Sequence, residues 1–184
     1  MPIRKLHHSE RARFAAHLKR LDSSDRRSRF VQAFVSDERI DAYVAGIKDD
    51  DVVLGAFDDD RMVGGTHVAF GVDSAEIGVS VEAAHRSQGL GGRLFAAAAQ
   101  LARNRQIAKL YTFCLADNQA VAAMARRHGM AIRRECDEAE AFVTLAPPDL
   151  ITVSAELSAD FLTALHDWEE GLRQSCRGIW PART

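Results

Sequence analysis

The chain has 184 residues, 47% hydrophobic and 27% charged, with a formal net charge of -2 at pH 7. This suits one globular domain with a sizeable core. The absence of a basic excess argues against nucleic acid, and the apolar runs are too short to span a bilayer. Met1-Pro2-Ile3-Arg4-Lys5 lacks the apolar core of a signal peptide. Cys114, Cys136 and Cys176 form no CxxC pair and no even-numbered disulfide framework, and the histidines show no HExxH spacing. The expected setting is therefore the reducing cytoplasm, with no metal and no membrane.

Ile3 to His7 reads as a first strand. Ser9 is the expected N-cap of a helix running to about Leu21, with Phe14, Leu18 and Leu21 on one face. Asp22-Ser23-Ser24-Asp25 breaks that helix and caps the next, in which Phe30, Val31 and Phe34 recur at helical spacing. Asp37 opens a third helical pattern through Ile40, Tyr43, Val44 and Ile47. Val52–Phe57 and Met62–Phe70 read as two arms of a hairpin around Asp58-Asp59-Asp60. After a turn at Gly71–Ser74, Glu76–Val81 returns antiparallel. A strong helix follows from about Leu90 to Asn104, then a strand at Lys109–Leu115. Asp117 or Asn118 caps a helix through Arg127, which Gly129 ends. Ala131–Arg134 and Ala141–Leu145 read as a closing hairpin, and Pro147-Pro148 ends the sheet. Beyond it, Ser158 is the expected cap of a helix with Phe161, Leu162, Leu165, Trp168 and Leu172 on its apolar side.

Between the strand ending at Val81 and the helix at Leu90 lies Arg86-Ser87-Gln88-Gly89-Leu90-Gly91-Gly92. Glycines let backbone N–H groups approach a phosphate, and a helix start adds unpaired donors and the positive end of its dipole. A diphosphate fits such a junction, and Arg86 and Arg93 add charge. A Walker A loop needs Gly-Lys-Ser/Thr, whereas Gly91 precedes Gly92-Arg93. A GxGxxG fingerprint needs a glycine where Leu94 stands.

Arg86-Ser87-Gln88-Gly89-Leu90-Gly91 resembles the R/Q-x-x-G-x-G/A acetyl-CoA motif of GNAT acetyltransferases. Asp117 to Met130 resembles that family's second block, N-x-x-(apolar)-x-x-(apolar)-x-x-K/R-x-G-F. The resemblance covers about Val52 to Val143. It implies an α/β (α+β) GNAT fold, a mixed and mostly antiparallel sheet flanked by helices. A domain at 1–146 would be followed by a linker and extra helix at 147–184, packing on the domain or on a partner subunit. It also implies acetyl-CoA as cosubstrate and an amine acceptor, either a small molecule or a protein lysine. A homodimer is compatible, since dimers are common in the family. The motifs are closest in character to bacterial protein-lysine acetyltransferase domains.

By the same resemblance, the amides of Arg86, Ser87, Gln88, Gly89, Leu90, Gly91 and Gly92 hold the diphosphate. The backbone of Val79 and Val81 runs beside the pantetheine arm, and Asn118 flanks its far side. The cofactor slot is a splayed gap between the Val79 and Tyr111 strands. An amide at the strand end polarises the thioester carbonyl. Many relatives place a tyrosine four residues before the second-block glycine, where this chain has Ala125. The alternative is a non-catalytic acyl-CoA sensor or scaffold on the same fold.

An acceptor ammonium must lose a proton before attack. Glu76 is the expected base, raised by half-burial; the other reading is a salt-bridged strand-edge glutamate. His67 is a second candidate beside the acceptor, or else a hydrogen-bonded structural histidine. His85 is expected to order the phosphate loop. Arg29 is a candidate for binding an acidic acceptor group with Phe30 packed beneath; the other reading of Asp25–Phe30 is a solvated charge run.

Overall fold

A computed structural model describes residues 1–158 together with Asp160, Phe161, Ala164 and Trp168. The chain divides into two units, Met1–Pro148 and Asp149–Thr184.

The first unit is built on one seven-stranded sheet: β1 (Ile3–Lys5), β2 (Val52–Asp58), β3 (Arg61–Phe70), β4 (Ser74–Val81), β5 (Lys109–Leu115), β6 (Ala131–Glu135) and β7 (Glu138–Thr144). Its order is β1-β2-β3-β4-β5-β7-β6. Every pairing is antiparallel except β4 with β5. The helices are α1 (Arg11–Lys19), α2 (Ser23–Phe30), α3 (Asp37–Ala45), α4 (Leu90–Asn104) and α5 (Gln119–Arg127).

The sheet separates two apolar clusters. On one face Leu90, Leu94, Phe95, Ala98, Leu101 and Ala102 of α4 bury against Val63, Val68, Ala75 and Ile77. These α4 residues recur every three or four positions, which puts them on one stripe. On the other face Phe14 and Leu18 of α1 join Ile40 and Val44 of α3 over Val53, Phe57 and Met62. Each fully buried large side chain here contributes about 1.5–3 kcal/mol of transfer free energy.

Local signals account for most element boundaries. Asp22 accepts from Asp25 N at 2.8 Å and opens α2. Ser36 opens α3, and Asn118 opens α5 by accepting from Val121 N at 3.1 Å. Gly129 adopts φ 65° just past α5.

Three expectations are corrected. Ser9 does not cap the first helix. It lies within a 3-10 turn (His8–Glu10) capped by His7, whose ring accepts from Ser9 N while the Glu10 carboxylate accepts from His7 N. Phe34 does not continue α2: Val31 turns left-handed at φ 51° and ends it, leaving Phe34 79% exposed. Ser158 does not open the C-terminal helix. Asp149 does, its carboxylate accepting from Thr152 N at 2.8 Å, and Ser158 Oγ donates to Ser154 O from inside the helix. Of the apolar stripe expected there, Leu162, Leu165 and Leu172 lie outside the described residues, as do Trp180 and Cys176.

Candidate active site

Pairing of β4 with β5 runs only through Ser74↔Lys109, Ala75↔Leu110 and Glu76↔Tyr111. Beyond Glu76 no ladder joins the strands, and a cleft of about 590 Å³ opens between them, floored by Gly78–Val81 and Thr112–Phe113. The reason is topological. β4 continues along β3 to Val81, while β5 continues along β7 to Leu115. Each strand therefore leaves one edge of peptide groups unpaired, able to bond an extended ligand.

The glycine-rich junction closes one end of the cleft. Gly89 is the residue before α4, at φ 75°, and no side chain caps the helix. The first-turn amides of Leu90, Gly91 and Gly92 are thus without helical acceptors. A Cβ at Gly89 would meet nothing within 4 Å, so this glycine is there for its backbone angle and the open space before the amides. Arg86, Ser87, Gly89, Leu90, Gly91 and Gly92 line the cleft with Asn118, Val79 and Val81; Gln88 does not. On the opposite wall stand Arg127 and His128 from the end of α5, which the sequence reading did not assign to the site.

Arg86 is partly spoken for. Its guanidinium pairs with the Asp25 carboxylate of α2, and its Nε donates to Val81 O at 3.1 Å. Arg93 instead donates to Met1 O at 3.0 Å. His85 contacts the Asp58 carboxylate at 3.3 Å, tying the loop's start to the β2–β3 turn.

A second anchor was not foreseen from sequence. Glu82, just past β4, receives Arg20 Nε at 2.9 Å, Arg61 at 2.6 Å and His17 Nδ1 at 3.3 Å. His17 is fully buried, and its Nε2 meets Ser80 Oγ at 2.9 Å. Burial pushes the His17 pKa down from 6.5 to about 4, against the pull of Glu82. A neutral ring then donates through Nδ1 to Glu82 and accepts from Ser80 through Nε2, the tautomer this network requires. Burial would raise Glu82, but its hydrogen bonds from Arg20 and His17 prevail and hold it below the usual range. The end of α1 and the start of β3 thus grip the strand end that carries the phosphate loop. The signal in the sequence is α1's spacing, which puts His17 on the apolar stripe with Phe14.

Glu76 sits where the β4–β5 ladder ends, opposite Tyr111, and it is not among the cleft-lining residues. The residue as a whole is exposed. Partial burial raises its pKa and the Arg29 guanidinium opposes the rise. Burial and the Glu76 charge together raise Tyr111.

Arg29 does line the cleft, with Phe30 beside it: its Cζ lies 5.2 Å from the Phe30 ring and 5.5 Å from that of Tyr43. His67 is not among the residues that line the cleft. It is buried beneath Tyr43, with Nδ1 at 2.7 Å from Tyr43 Oη and Nε2 at 3.3 Å from Asp51 Oδ2. Both ring nitrogens are used, and burial followed by the Arg29 charge lowers its pKa. No group of three or more His, Cys, Asp or Glu side chains suited to a metal occurs among the described residues.

The sequence matches the acetyltransferase (GNAT) family over residues 13–130. No curated protein matches it significantly. Among solved structures, the GNAT domain of S. lividans PAT shares the fold with a TM-score of 0.67 at 19% identity, covering 78% of this chain and 89% of that one. Ribosomal-protein-alanine N-acetyltransferase from Brucella melitensis gives 0.61 at 20% identity, with 79% and 100% covered. The PaiA N-acetyltransferase of Thermoplasma acidophilum, in complex with coenzyme A, gives 0.59 at 15% identity, with 78% and 98% covered. A family match over more than half its length, on a sheet that opens beside an uncapped glycine-rich helix start, makes this chain a member of the acetyltransferase (GNAT) family.

Proposed function

We propose that the chain is an N-acetyltransferase that takes its acetyl group from acetyl-CoA and passes it directly to an amine. The observation that carries this is the cleft between β4 and β5, which ends at first-turn amides of α4 that no side chain caps. A diphosphate is the ligand such a helix start accepts best, and the unpaired strand edges suit an extended arm such as pantetheine.

Acetyl-CoA, when bound, supplies an activated acyl thioester. The chain's part is positional and electrostatic. Leu90, Gly91 and Gly92 offer amides to the diphosphate, and Arg86 adds charge once it exchanges Asp25 for phosphate. The Val79–Val81 backbone aligns the arm, and an amide at this strand end faces the carbonyl oxygen where charge develops. Glu76, reached directly or through water, takes the amine proton as the N–C bond forms and the C–S bond breaks. Water protonates the departing thiolate, because Ala125, fully buried, stands where many relatives carry a tyrosine.

A thiol-release screen with purified protein, acetyl-CoA and a broad amine panel, lysine peptides included, tests the reading. Thiol release dependent on one amine class is the expected result. Coenzyme A binding with no release across the panel makes the protein an acyl-CoA sensor instead. No detectable heat of CoA association removes both readings.

A further inference from the structure

The acceptor class can be read from the α2 side of β4; this rests on the acetyltransferase reading above. Glu76 and Gly78 point the same way on the strand, about 7 Å apart. Over Gly78 lies the Arg29 guanidinium, and a Cβ at that position would collide with it. The guanidinium is held by a chain of bonds running into the protein. Arg29 Nη2 donates to Tyr43 Oη at 2.8 Å, and Tyr43 Oη lies 2.7 Å from His67 Nδ1. His67 Nε2 lies 3.3 Å from Asp51 Oδ2, and Asp51 also accepts from Phe70 N at 3.0 Å and Lys48 N at 3.3 Å. One donor sense satisfies the whole chain: guanidinium to phenol, phenol to neutral imidazole, imidazole to carboxylate. It begins at a cation on the cleft wall and ends at a buried anion, which favours each bond between them.

Despite this hold, no ion pair joins Arg29 or Glu76 to a charged side chain among the described residues, and Arg29 Nε is buried without a hydrogen-bond partner. A fixed cation beside an anion, neither paired by the protein, complements a molecule that carries both charges. We propose that the acceptor is a small amine bearing its own carboxylate, such as a free amino acid, with the carboxylate on Arg29 and the ammonium directed to Glu76. Tyr43, His67 and Asp51 are positioning residues for that guanidinium.

The test is equilibrium binding by calorimetry to the full chain saturated with CoA, which needs no turnover. The probes are the common α-amino acids, β-alanine and 4-aminobutyrate, each compared with its primary amide. At least one acid should bind, with its amide weaker by roughly 10- to 100-fold, the worth of a charge-assisted hydrogen-bonded pair. Arg29→Gln should erase that ratio, and Arg29→Lys should keep only part of it, since lysine lacks the planar fork. Tyr43→Phe preserves ring packing, so it should lower the ratio without loss of fold. Gly78→Ala displaces only the flexible end of Arg29 and should act alike. The proposal is overturned if amides bind as well as acids, if no acid binds while CoA does, or if Arg29→Gln keeps the preference. Selective acid binding without thiol release would sink acetyl transfer and leave the acceptor class standing. Equal turnover of acids and amides would do the reverse.

Discussion

In the proposed role of base Glu76 acts only when ionised, and its raised pKa should place the ascending limb of the kcat/KM–pH profile above that of an ordinary carboxylate. Glu76→Gln should lower kcat/KM by roughly 100-fold and remove that limb, the scale of a lost general base; an unchanged profile would take Glu76 out of the role. Arg29 opposes the shift, so Arg29→Gln should move the limb of kcat to higher pH. His17 gives a stability prediction of opposite sense. Its pKa falls from 6.5 to about 4 on folding, so between these values the unfolded chain takes up a proton that the fold refuses. The stabilisation is complete above about pH 6.5 and lost as pH falls toward 4. At about 1.4 kcal/mol per unit it reaches up to about 3 kcal/mol. Urea unfolding at pH 7 and pH 5 should show the loss, and His17→Gln should flatten it. The sequence reading singled out Glu76, Arg29 and the glycines because each sits in a local pattern or a family motif. It missed His17 and Glu82, which are 65 residues apart and meet only through the packing of α1 on the sheet.

At the scale of elements, α4 does two jobs through opposite ends of one local pattern. Its apolar stripe anchors it: Leu94 is fully buried, and Leu94→Ala should cost about 2–5 kcal/mol in chemical unfolding, through the cavity it leaves. Its start faces the cleft, where the Asp25 carboxylate on α2 competes for Arg86 with any incoming anion. Asp25→Asn should therefore tighten CoA binding several-fold in calorimetry, with a weaker salt dependence in wild type than in the variant. An unchanged dissociation constant would mean that Arg86 never leaves Asp25. The caps at Asp22, Ser36 and Asn118 bond only residues three positions away, so the sequence placed these helix starts to within a residue, although it named Asp37 rather than Ser36 and left Asp117 or Asn118 open. The end of α2 did not follow from spacing, because its left-handed turn falls on Val31, a β-branched residue that disfavours that conformation and so gives no stop signal.

For the whole molecule, the boundary at Pro148 predicts that residues 1–148 fold and bind CoA without the remainder. Circular dichroism and calorimetry on the truncated chain check this; an unfolded product would make the C-terminal segment part of the fold. Sequence by itself determined the alternation of strands and helices, the antiparallel meander of β2 to β4 and the phosphate-ready junction before α4. Those features are written in periodicity, turn residues and glycine placement, all of which act over a few positions. Only the tertiary structure decided the rest. It ends the β4–β5 ladder at Glu76, because the two strands follow different neighbours. It also brings Asp51, His67, Tyr43 and Arg29 into one chain of bonds, because α2, α3 and the residue before β2 meet beside His67 of β3. No local pattern encodes those contacts, since each depends on where distant segments come to rest.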